Sequence, residues 1–186
     1  TDVTGVQTCA LPISRVVADP SDDEARGEVL LAATYAGIGF GNGGVHLAHG
    51  MSYPVSGMVR DYVPEGYPPG HPLVPHGMAV CLNAPAVFRF TAPADPAVHL
   101  YAAGLMGCDV STAAPEEAGD LLAGAVIDLM RRVGMPNGLS AVGFTPQDVD
   151  HLVEGTLPQH RVTKLSPRPA GPEELRQLFL DSMTLW

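Results

Sequence analysis

The sequence predicts an all-α domain, a helical bundle with no sheet. Four segments open with Pro or Thr beside acidic residues and continue with apolar residues at three- and four-residue spacing. No stretch alternates apolar and polar residues convincingly, as a half-buried strand would. The densest run of breakers, Asp61 to Pro75 (DYVPEGYPPGHPLVP), lies between apolar segments and reads as a loop.

Taken in order, Thr1 to Ser14 (TDVTGVQTCALPIS) resembles a translated sequencing-adaptor oligonucleotide. It also lacks the basic region and continuous apolar core of a signal peptide. Residues 1–14 are therefore set aside as non-native, and one domain is expected over 15–186. On this reading the natural frame was cut upstream of about Arg15. Ser21 with Asp22, Asp23 and Glu24 forms a capping box, so a helix should begin there. Val29 to Tyr35 continues it as a buried helix. Gly37, Gly39, Gly41, Gly43 and Gly44 then permit close approach of a neighbour or ligand. Each helical glycine costs about 1 kcal/mol relative to alanine, so packing or function must offset them.

From His76 to about Ala92 the chain is apolar with helical spacing, and Pro85 should kink or split that helix. A buried hairpin is the alternative. Helices are expected at Pro96 to Met106, Pro115 to Val133, Thr145 to Leu157 and Pro172 to Leu185. The clearest is the second, with Glu116 and Glu117 at its positive end and Arg131 and Arg132 at its negative end.

The formal net charge of −10 argues against nucleic acid or an anionic membrane as partner, since both require a basic face. No apolar run of about 18 residues free of breakers and charges is present, so no transmembrane helix is expected. Of the three cysteines, Cys9 lies in the suspect leader, and Cys81 and Cys108 form neither a CxxC nor a disulfide framework. A reducing cytoplasm fits that usage. Met51, Met58, Met78, Met106 and Met130 read as core filler.

His46 and His49 are three residues apart, which places both on one helical face. His76 opens the next long helix after the loop, where the positive helix end opposes a second positive charge and suits a neutral ligand. Neutral imidazoles of this kind bind divalent cations, but spacing alone equally allows histidines satisfied by backbone carbonyls in a tight core. His71, His99, His151 and His160 are expected at the surface.

The wording around these histidines is more specific. GNGGVHLAHGMSYPVSG followed by HPLVPHGMAV resembles the signature of the iron-containing alcohol dehydrogenase family. The resemblance implies the C-terminal helical, metal-binding domain of such an enzyme, with His49 and His76 as metal ligands. It implies two further ligands in a D-x-x-x-H pair, absent between Arg15 and His46, and a nucleotide-binding half outside this chain that holds NAD(P). The implied metal is Fe(II), although Zn(II) suits the same ligand types.

Many members of the family carry a histidine where this sequence has Tyr53. HGMSYP, His46 and the GTLPQHRVTKLSPRP segment together resemble the hydroxyacid-oxoacid transhydrogenase subgroup. That implies hydride transfer from a hydroxyacid such as 4-hydroxybutyrate to an oxoacid such as 2-oxoglutarate through a bound nicotinamide. Tyr53 becomes a candidate catalytic residue, though a phenol with an ordinary pKa of about 10 makes a poor base at neutral pH, and a packed aromatic is the plain alternative. Anionic substrates call for a cationic clamp. Arg161 with Lys164 is the nearest candidate, against the ordinary reading of a solvated surface pair, and Arg60 and Arg89 are weaker ones.

Two other functions stay open on the sequence: a general iron- or zinc-dependent NAD(P) alcohol dehydrogenase, and a non-catalytic helical binding module. Small hydroxyacids, oxoacids, alcohols or aldehydes are the expected partners, with homo-oligomer formation open.

Overall fold

The computed structural model describes residues 12–186. Of the leader set aside over residues 1–14, the part up to residue 11 lies outside the described residues. Residues 12–18 are helical, and Arg15 grips Asp22 through two hydrogen bonds and also pairs with Glu24.

Among the described residues the fold is helical with no strand. The helices are α1 (Asp23–Gly43), α2 (Leu47–Gly57), α3 (His76–Thr91), α4 (Pro96–Leu105), α5 (Ala118–Arg132), α6 (Val149–Thr156), the single-turn α7 (His160–Thr163) and α8 (Pro172–Asp181). Short 3-10 turns at Pro115–Glu117 and Pro146–Asp148 lead into α5 and α6, because proline fixes the first-turn dihedral and lacks the N–H that would go unpaired there.

Helix α3 is the hub, packed against α2, α5 and α8. It buries Ala79, Leu82, Ala86 and Val87, while α2 buries Leu47, Met51 and Val55. Phe179, Leu175 and Leu178 of α8 close the core from the other side. The chain end is tied back to the turn before Phe144: Asn137 Oδ1 accepts from the backbone N–H of Leu185 at 2.8 Å and of Trp186 at 3.0 Å.

Several expectations change in detail. The cap of α1 is Asp22, whose carboxylate accepts from Ala25 N at 3.0 Å, not Ser21, whose hydroxyl donates to Asp19 at 2.7 Å. Helix α3 runs unbroken through Pro85, so the proline removes one backbone bond without splitting the helix, and no hairpin forms. The last helix stops at Asp181 rather than Leu185. His99 is buried, at 8% exposure, not at the surface: Asp95 O lies 2.8 Å from its Nδ1 and Thr91 Oγ1 2.9 Å from its Nε2.

The largest change concerns α1. Leu30, Leu31, Tyr35, Ile38 and Phe40 are all more than half exposed, and no described atom lies within 4 Å of where a Cβ on Gly37, Gly39, Gly41 or Gly43 would sit. The residues are apolar as a buried helix requires, but burial needs a close-packed neighbour, and the described residues leave that face more than half open.

A bidentate pair fixes the loop after α2. Arg60 donates to both carboxylate oxygens of Asp148, at 2.7 and 3.0 Å, and to the Gly143 carbonyl. The guanidinium holds the Asp148 carboxyl well below the usual carboxylate range, against a smaller opposing effect of burial. A carboxyl depressed by folding stabilises the protein above its unfolded pKa and loses that contribution as pH falls through the folded value. Asp148→Asn is therefore expected to lower the Tm at neutral pH, with the gap to the parent narrowing below about pH 4; a gap independent of pH would show that the pair contributes nothing. Phe179, with no exposed surface, should cost about 3–5 kcal/mol on truncation to alanine, read from denaturant midpoints.

Candidate metal and substrate site

The site forms where α2 crosses the start of α3. His49 stands in the first turn of α2 and His76 is the first residue of α3, capped by Pro75. Twenty-seven positions apart in the chain, their rings come within 5.5 Å between centroids at 61°. Two imidazoles bound tetrahedrally to one cation through nitrogens at about 2.0–2.1 Å place their ring centres on the order of 5 Å apart, so the spacing fits a shared ion. Burial pushes His49 below the ordinary imidazole range, and the like charges of His76 and then His46 add to the effect. The ring is thus neutral at physiological pH with a lone pair to offer. Among the described residues no group of three or more His, Cys, Asp or Glu is placed to hold a metal.

Tyr53, one turn after His49, stacks on His76, with centroids 5.9 Å apart and planes at 24°. Its hydroxyl accepts a 3.3 Å hydrogen bond from Arg161 Nη2. These four side chains line one cleft of about 470 Å³, with Phe40 and Gly44 from the end of α1 on its rim. Arg161 reaches it because α7 lies directly on α2: a Cβ on Gly50 would sit 2.7 Å from Thr163 Cγ2 and 3.5 Å from Val162 Cγ2. Glycine is what allows that approach.

The remaining sequence candidates lie elsewhere. Lys164, three positions after Arg161, borders a separate groove with His160 and Thr163. Arg60 is held by Asp148 and Arg89 by Asp120. His46 occupies the N-cap position of α2, half-buried; its Nδ1 is enclosed with no hydrogen-bond partner among the described residues, and burial, followed by His99, lowers its pKa. Burial raises both described thiols, Cys81 and Cys108, with Asp128 adding to the effect at Cys108, so neither is poised to react.

Sequence reasoning missed Ser52. Its side chain is wholly buried, its hydroxyl donates to the His49 carbonyl at 2.7 Å, and its Oγ lies 3.3 Å from His76 Nδ1. The available signal was its position three residues after His49, which puts a serine hydroxyl within reach of that carbonyl.

The helical bundle that carries this cleft has counterparts among known proteins. The chain matches the C-terminal model of the Fe-containing alcohol dehydrogenase family over residues 2–183, and it belongs to that family. It is 54% identical over 175 residues to the probable mitochondrial hydroxyacid-oxoacid transhydrogenase of Dictyostelium discoideum, covering 94% of this chain and 32% of that protein. It is 48% identical over 184 residues to the mitochondrial hydroxyacid-oxoacid transhydrogenase of Mus musculus, covering 99% of this chain and 40% of that protein. The chain thus spans 32% and 40% of the length of these relatives. An alcohol dehydrogenase from Oenococcus oeni shares the fold at a TM-score of 0.84 and 22% identity, over 97% of this chain and 43% of its own.

The expectation of a cytoplasmic location does not stand, because these relatives are named as mitochondrial. Cysteine usage does not single out the cytoplasm among compartments.

Gly50→Ala should drive a methyl into Thr163, lift α7 from α2, and destabilise the protein by about 1–3 kcal/mol. Wild-type stability in that variant, measured by chemical denaturation, would mean that α7 is free to move.

Proposed function

We propose that the chain is the metal-holding part of a hydroxyacid-oxoacid transhydrogenase, and that polypeptide outside it supplies the nucleotide site and the remaining metal ligands. The carrying observation is the single cleft that combines His49 and His76 at 5.5 Å with Tyr53 and Arg161. Identity of about half to curated transhydrogenases supports the same reading.

In this reading His49 and His76 hold a divalent cation, Fe(II) or Zn(II), through neutral ring nitrogens. Such a cation, when bound, would supply Lewis-acid polarisation of a substrate oxygen, the chemistry that hydride exchange with a nicotinamide calls for. Arg161 receives the substrate carboxylate: its guanidinium offers five donors, of which the Tyr53 contact engages one. Tyr53 holds the guanidinium through its hydroxyl, inside the same cleft. Lys164 has no part in this clamp, since it borders another groove. The substrates are small hydroxyacids and oxoacids of the 4-hydroxybutyrate and 2-oxoglutarate type, and the mitochondrial location of the relatives extends to this chain as part of the same proposal.

The test uses the polypeptide that joins this chain to its nucleotide-binding part. It should reduce 2-oxoglutarate at the expense of 4-hydroxybutyrate without added nucleotide. Arg161→Gln should lower kcat/KM for the hydroxyacid by on the order of tenfold to a hundredfold, the value of a hydrogen bond to a charged group, and affect an uncharged alcohol far less. Equal losses on both substrates would remove Arg161 from carboxylate binding. A strict need for added NAD(P) would favour an alcohol dehydrogenase with exchangeable nucleotide.

A further inference from the structure

Ser52 is the only residue described here whose hydroxyl lies within hydrogen-bond distance of groups from both His49 and His76, and it has no access to solvent. A serine hydroxyl has one proton to give. At 2.7 Å from the His49 carbonyl, which can only accept, that proton is committed. The oxygen then has only lone pairs left for His76 Nδ1, 3.3 Å away, so a hydrogen bond between them requires the proton to sit on Nδ1. In a neutral imidazole this leaves Nε2, at the opposite side of the ring, without a proton.

We propose that Ser52 is a positioning residue that holds His76 as its Nδ1–H tautomer and so directs a bare Nε2 into the cleft as the cation-binding atom. The inference rests on the reading of His49 and His76 as ligands, but the tautomer it assigns exists with or without a metal. Ser52 also links α2 to the ring of His76: its proton is held within α2 by the His49 backbone oxygen, so a shift of α2 relative to α3 would disturb that ring. An acceptor at the ring nitrogen that does not bind the metal fixes the tautomer of a ligating histidine and typically governs metal affinity by about tenfold to a hundredfold.

The experiment is ring-nitrogen NMR on the uniformly 15N-labelled 186-residue chain, at a pH above the imidazole titration range. His76 is expected as predominantly Nδ1–H in the parent and predominantly Nε2–H, the form free imidazole side chains usually favour, in Ser52→Ala. His99 is the internal control for folding: its Nδ1 faces the Asp95 carbonyl at 2.8 Å, so it should stay Nδ1–H in both. Zn(II) added to the same samples should perturb His76 at Nε2, with an apparent Kd on the order of tenfold weaker in Ser52→Ala. A parent His76 found mainly as Nε2–H overturns the proposal without reference to any variant. So does an unchanged tautomer or unchanged Zn(II) affinity in a Ser52→Ala chain whose His99 signals are intact. A parent with the assigned tautomer that binds no Zn(II) would instead count against His49 and His76 as ligands and leave the hold of Ser52 on the ring supported.

Discussion

Packing of α2 across the N-terminal end of α3 is the constraint from which the rest of the molecule follows. Leu47, Met51 and Val55 form one stripe of α2 and are fully buried, as are Ala79, Leu82 and Val87 of α3. Removing this much apolar surface from water sets the relation of the two helices, and any polar group caught in the crossing must find its partner there. Ser52 finds the His49 carbonyl, and Ser56 donates to the Val74 carbonyl at 3.0 Å, which ties the end of the long loop to α2. The loop can therefore be rich in proline and exposed along most of its length and still deliver His76 to a defined place.

Layers added around that crossing position the other cleft residues. Gly50 admits α7, and Gly155 plays the matching part in α6, where a Cβ would sit 2.7 Å from Pro54 Cβ. One side of α2 is thus closed by α6 and α7 at backbone distance, and Arg161 is carried to the hydroxyl of Tyr53. Electrostatically the cleft is divided. One wall holds the His49 imidazole, whose charged form is disfavoured, beside His76, and the other holds a permanent guanidinium. A cation on the first wall and a carboxylate on the second would each meet suitable chemistry.

Helix α1 follows a different rule. Its apolar residues lie open although its composition is that of a buried helix, and its glycines face no described atom. Helix formation depends on local backbone geometry, and Asp22 caps this one well. Burial depends on whatever lies across from it, which is a property of the assembled polypeptide and not of the segment.

Read alone, the sequence determined the all-helical class, most helix starts and the long loop, because these follow from local effects: proline and acidic residues at first turns, apolar spacing, and clustered breakers. It also singled out His49 and His76 through their flanking wording. Tertiary structure alone decided which charged side chain enters the cleft. Arg161 and Lys164 are equivalent as residues near one another in sequence, but a single helical turn docked on Gly50 sends one into the cleft and the other to a neighbouring groove. It likewise buried His99, which has no sequence mark of burial, and brought Ser52 between two histidines far apart in the chain. Periodicity reports which face a residue occupies on its own helix, whereas the partner across the interface is fixed by the packing of elements distant in sequence.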